Sequence, residues 1–185
     1  MADPSELHYT DRADANQLIA GEPAALLVGI VLYQQVPTEK AFVGPLLLKE
    51  RMGGSLDPSE IATMDPEELE EIFRQKPALH RFPASMAKKV QAVCAYVVDH
   101  HDGVVAGLWN GADTAHEVVQ RIQAMPGFGE YKARVYFGVL AQRFGIRPDG
   151  WESLVPDWPS IADIVVPEDL VELKLRKKAW KESQA

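Results

Sequence analysis

The stretch Ala124-Met125-Pro126-Gly127-Phe128-Gly129-Glu130-Tyr131-Lys132-Ala133 decides the fold. Two glycines flank one apolar residue behind a proline, and the chain on either side has helical apolar spacing, so the stretch reads as a tight hairpin between two helices. Upstream, Asp113 and Thr114 can cap a helix and Glu117 completes a capping box with Thr114. Ala115, Val118, Val119 and Ile122 then follow at i, i+3, i+4 and i+7. Downstream, Ala133, Tyr136, Phe137, Leu140 and Phe144 repeat the stripe until Gly145. Such a hairpin leaves the N–H groups near Gly127, Gly129 and the next helix's first turn without intrahelical partners, which suits gripping a phosphate.

Away from the hairpin the same signals predict an all-α chain. Helices are expected near residues 12–20, 23–35, 38–52, 58–63, 66–75, 84–101, 104–109, 114–124, 130–144 and 167–182. Asp57-Pro58 and Asp65-Pro66 read as an N-cap followed by a first-turn proline. No stretch alternates apolar and polar residues long enough for a sheet. The least regular part, Ile146 to Ser160, carries Pro148, Pro156 and Pro159. The 185 residues are one domain's worth: a polar N-terminal segment, 1–15, precedes a helical domain, 16–185.

Composition narrows the chemistry. The single cysteine, Cys94, excludes a disulfide within the chain, and its apolar helical face with Val90 and Val97 reads as a small buried hydrophobe. The longest apolar run is about half of the ~20 residues a membrane span requires, so a soluble, reducing, cytoplasmic setting is expected. A net charge of −8 opposes nucleic-acid binding unless the charges are segregated. They are unevenly placed along the chain. Acids cluster at Glu67, Glu68, Glu70 and Glu71, whereas the hairpin region carries Arg121, Lys132, Arg134, Arg143 and Arg147 against Glu130. Lys88, Lys89 and the tail residues Lys174, Arg176, Lys177, Lys178 and Lys181 add to the basic side, unless they only solvate helix faces. Asp99-His100-His101-Asp102 reads as an exposed helix end rather than a metal site, because adjacent helical histidines point about 100° apart.

Met125-Pro126-Gly127-Phe128-Gly129 with Ala133 four residues later resembles the hairpin of the helix-hairpin-helix (HhH-GPD) DNA glycosylases, usually Leu-Pro-Gly-Val-Gly. A second point of resemblance is Gln34-Gln35-Val36-Pro37-Thr38, after the apolar run Ala24 to Tyr33, where the superfamily has a glutamine loop that fills the space left by an extruded base. The resemblance spans roughly residues 20 to 180 and is closest to cluster-free relatives of endonuclease III. One cysteine cannot supply that enzyme's four-cysteine iron–sulfur site.

The resemblance implies a two-lobed helical fold with a central cleft and a base-excision enzyme acting on double-stranded DNA with a damaged or mispaired base. It assigns catalysis to Asp149, eighteen residues past Tyr131, where a carboxylate would stabilise the cationic sugar or activate water. From the residues alone, Asp149-Gly150 is equally a turn or a helix cap. Tyr131 stands where strand-cleaving members carry lysine, which implies a monofunctional glycosylase without lyase activity. Lys132 is one step around the helix. Tyr131 then stacks on the extruded base or is a half-buried aromatic. DNA contacts fall to Gln34, Gln35, Gly127, Phe128, Gly129, Lys132 and Arg134, with Phe82 or Leu79 as a second wedge unless Phe82 is core. No cofactor or metal is implied, although a monovalent cation at the hairpin is compatible with the family. The protein is expected to be a nucleoid-associated, cytoplasmic monomer with no membrane partner. A non-catalytic helix-hairpin-helix DNA-binding protein is the alternative.

Overall fold

The hairpin forms where the sequence places it. A computed structural model describes residues 4–185. Its helices are α1 (Ala13–Gly21), α2 (Pro23–Leu32), α3 (Thr38–Arg51), α4 (Pro58–Thr63), α5 (Pro66–Arg74), α6 (Pro83–His101), α7 (Ala115–Gln123), α8 (Glu130–Arg143) and α9 (Asp169–Ser183). Three single 3-10 turns occupy Val105–Leu108, Trp151–Ser153 and Ile161–Asp163. The only β pairing among the described residues is an isolated bridge between Thr114 and Asp149. The chain is therefore all-α.

Local chemistry explains most helix ends. The Asp57 carboxylate accepts from the Ser59 N–H, Asp65 accepts from Glu67 and Glu68, and Thr114 accepts from Glu117. Each such cap contributes about 1 kcal/mol. The expected helix 23–35 stops at Leu32 because Tyr33 already leaves the helical region at ψ 68°, and Gln35, left-handed at φ 58°, prevents its resumption. The segment expected as a helix at 104–109 is a 3-10 turn. No single helix among the described residues is long and apolar enough to cross a membrane.

α2 is the spine of the core, with every residue from Ala25 to Leu32 buried. It packs on α1, α3 and α6. Gly29 lets the Phe42 ring of α3 approach so closely that an added Cβ would lie 2.5 Å from it. Phe42 in turn packs on Tyr9 and Tyr33, with ring centroids 4.8 and 5.6 Å away. The polar N-terminal segment is thus part of the core from Leu7 onward, although residues 1–3 lie outside the described residues. Asn16 ties that segment to α1 by accepting from the Thr10 N–H and donating to the Thr10 carbonyl, both at 3.0 Å. Cys94 is buried, and desolvation pushes its thiol up to about 12, so it is an inert packing group. His100 stacks on Tyr96 at 3.9 Å and His101 packs over Gly107, which places the histidine pair in the α6 C-terminal packing.

The path after α8 positions everything that follows. Fourteen residues carry α8 about 21 Å from the hairpin. There Asp149 donates its N–H to Asp113 and accepts from Ala115, next to the start of α7. The chain then returns along α8, where Gly138 allows Pro156 and Ala162 to close in. An added Cβ there would sit 2.6 Å from Pro156 Cδ. The Arg134 guanidinium holds the returning strand by donating to the Leu154 and Val155 carbonyls at 3.1 and 2.9 Å.

Candidate active site and nucleic-acid interface

The returning segment, the first turns of α8 just past the hairpin, and the glutamine loop meet around one cavity of about 260 Å³. Ile30, Tyr33 and Gln34 form one wall, Tyr131, Lys132 and Val135 of α8 another, and Ser160, Ile161 and Lys177 the rest. It opens into a shallower hollow of about 490 Å³ that shares Tyr33, Gln34, Tyr131 and Lys177 and adds Gln35, Val36, Pro37 and Lys181. Among the described residues, no aspartate or glutamate lines either space.

Each wall is fixed by identifiable contacts. The Gln34 amide donates to the Val31 carbonyl at 2.7 Å and accepts from Lys89 at 2.9 Å, so it is part of the scaffold. Gln35, next to it, is exposed at the mouth in its left-handed conformation, which costs about 1–2 kcal/mol and aims a polar side chain outward. Tyr33 receives the Lys177 ammonium at 2.6 Å on its oxygen, and the same ammonium lies 5.1 Å from its ring centroid. Tyr131 is 61% exposed and stacks on Trp158 at 5.1 Å with 14° between the rings. It is therefore a mouth residue with one aromatic partner, neither buried nor half-buried.

Lys132 is the chemical surprise. One helical step separates it from Tyr131, yet both line the cavity, because the lysine side chain passes the Phe128 ring with its ammonium 5.3 Å from the centroid. Desolvation in this half-buried position, with Lys89 nearby, pushes its amine down to about 8.

Several expected site residues have other positions. Asp149 does not line the cavity: its backbone is bonded at the start of α7, its side chain is exposed, and α8 separates it from the hairpin. Arg134, expected on DNA, spends its donors on Leu154 and Val155 and lies 4.8 Å from the Trp158 ring. Other arginines of the expected basic face are engaged likewise. Arg121 donates to the Gly107 and Asn110 carbonyls and pairs with Glu117, and Arg147 donates to Ala141. Phe128 is buried against Tyr136, so the hairpin offers a ligand its backbone at exposed Gly127 and Gly129, the former at φ 79°. Of the two candidate wedges, Leu79 is buried and Phe82 is 43% exposed.

The glutamine and Phe82 loops are joined by a residue the sequence reading passed over. His80 is buried, and its Nδ1 accepts from the Phe82 N–H at 3.0 Å. The proton therefore sits on Nε2, which donates to the Gln34 carbonyl at 2.8 Å. Burial lowers the pKa of this imidazole below its usual 6.5. Below 6.5 the unfolded chain takes up this proton more readily than the folded one, so His80 makes stability fall as pH drops from 6.5 through the folded value and leaves it flat above. His80→Gln is expected to show a smaller drop in Tm between pH 7.5 and 5.5 than the parent protein, measured side by side by thermal melts. Equal drops would remove His80 from the account.

The comparison with known families agrees with this architecture. A family profile described as HhH-GPD superfamily base excision DNA repair protein matches residues 28–178, from α2 into α9. The chain belongs to that superfamily of base excision DNA repair proteins. No curated protein and no solved structure matches it.

Proposed function

We propose that this protein is a DNA glycosylase that receives an extruded nucleotide in the cavity between Tyr33 and Tyr131. The carrying observation is the convergence of the glutamine loop, the returning segment and the first turn of α8, with Tyr131 and Lys132, on one space. Gln35 supports the gap in the duplex, Phe82 is the second wedge, and the Gly127 to Lys132 backbone takes a phosphate. Aromatic walls suit a flat base, since stacking on a side chain contributes about 1–3 kcal/mol.

The chemistry divides two readings. A monofunctional hydrolase follows from Tyr131 in place of lysine and needs an acid such as Asp149, which sits outside the cavity. The position of Lys132 favours the other. With its pKa near 8, a sizeable fraction of its amine is neutral at physiological pH. The neutral nitrogen attacks the sugar C1′, and the base departs with the glycosidic electron pair and one amine proton. The second amine proton passes to O4′ as the ring opens to an imine, and water then releases the sugar aldehyde. Duplexes bearing uracil, thymine mismatches, alkylated and oxidised bases test the proposal. Base release together with a borohydride-trapped protein–DNA adduct supports the amine reading, and base release without an adduct returns the hydrolytic one. Salt-sensitive binding with neither outcome favours a non-catalytic DNA-binding protein.

A further inference from the structure

We infer that α9 carries a second DNA grip, a lysine stripe that holds phosphates on the side of the cavity mouth away from the hairpin; this rests on the DNA reading above. Lys174, Lys177, Lys178 and Lys181 are spaced i, i+3, i+4 and i+7, which puts all four within about a 100° arc of one helix. The stripe is about 10 Å long. Along one DNA strand a charge recurs about every 3.4 Å, so such a stripe meets about three successive phosphates.

Three observations give the stripe this role. First, Lys177 and Lys181 border the same hollow as Gln35 and Tyr131, so a strand feeding a nucleotide into the cavity passes beside them. Second, the lower part of the stripe is pinned in place. Lys174 pairs with Glu39 at 2.9 Å and Lys177 binds the Tyr33 oxygen, which ties α9 to the α2–α3 side of the cavity. Lys178 and Lys181 are exposed and take part in no ion pair among the described residues. Third, the arginines near the hairpin spend side-chain donors on backbone carbonyls, as shown for Arg121, Arg134 and Arg147, so they keep their charge but have fewer donors to offer a phosphate. A chain of net charge −8 that binds DNA needs free cations beside its site, and on this side of the mouth α9 supplies them.

The test is the salt dependence of binding to a duplex containing a tetrahydrofuran abasic-site analogue, for the full chain and for Lys181→Gln and Lys178→Gln/Lys181→Gln. Both positions are exposed, and circular dichroism verifies that the variants remain folded. Each lost phosphate contact lowers the slope of log affinity against log salt by about 0.9, so the expected reductions are about 0.9 and about 1.8. Equivalently, the single variant's deficit shrinks about three-fold between 50 and 200 mM salt. Unchanged slopes in variants of a protein that binds in a salt-sensitive way would overturn the α9 grip and leave the DNA reading intact. No salt-sensitive binding by the parent protein would overturn both.

Discussion

Lys132→Met is expected to abolish the borohydride-trapped adduct with abasic-site DNA, whereas Asp149→Asn retains it at close to the parent level. The two substitutions separate the cavity from the sequence-assigned acid. Lys132 lines the space where the sugar would sit and carries an amine whose pKa burial has brought near 8. Asp149 faces solvent at the start of α7. The difference should be all-or-none on a denaturing gel, because without the amine no covalent bond to C1′ forms at that site. In the parent protein the adduct yield should also rise as pH increases from 6 to 8, since a lysine pKa near 8 makes the neutral nucleophile more abundant across that interval. Trapping by the Lys132 variant would assign the amine elsewhere, and its loss in Asp149→Asn would restore the carboxylate.

The largest stability effect is expected at Phe42. Its ring is fully buried, fills the notch left by Gly29 and supports Tyr33, whose face forms a wall of the cavity. Phe42→Ala should cost about 3–5 kcal/mol, read as a fall in the denaturation midpoint, because a buried ring is replaced by a void. Gly29→Ala probes the same contact from the other side. Alanine improves helix propensity by about 1 kcal/mol. Its Cβ, however, would meet a Phe42 ring already held between Tyr9 and Tyr33, so overpacking by about 1–3 kcal/mol should win. A neutral Gly29→Ala would show that the ring can yield, and the cavity wall with it.

What the sequence made legible was local. The hairpin, the Asp-Pro helix starts and the Thr114 cap were readable because glycine, proline and capping side chains act on the backbone within a few residues of themselves. Gln35 was expected at the end of a helix 23–35, and its loop role came only from the family resemblance; the helix in fact ends at Leu32. Asp149 was assigned by counting along the chain, which says nothing of direction, and it lies outside the cavity. α8 carries the chain about 21 Å away from the hairpin, and the part that comes back is Leu154 to Ile161, so Trp158, Ser160 and Ile161 border the site instead. The arginines were legible as charges but not as partners. Their engagement with carbonyls depends on where Leu154, Val155, Gly107 and Asn110 end up in space. Lys177 was legible as part of a basic tail but not as a cavity residue, because its contact with Tyr33 joins residues 144 positions apart.

The central claim is that a nucleotide leaves the duplex and enters between Tyr33 and Tyr131. A crystal structure of the protein bound to duplex DNA with a non-cleavable 2′-fluoro nucleotide at the target position tests it most directly. An extrahelical base is expected in the space lined by Ile30, Tyr33, Tyr131 and Lys132, with Gln35 in the vacated stack. An extrahelical base lodged beside Asp149, or a fully stacked duplex lying across the hairpin with the cavity empty, would contradict it.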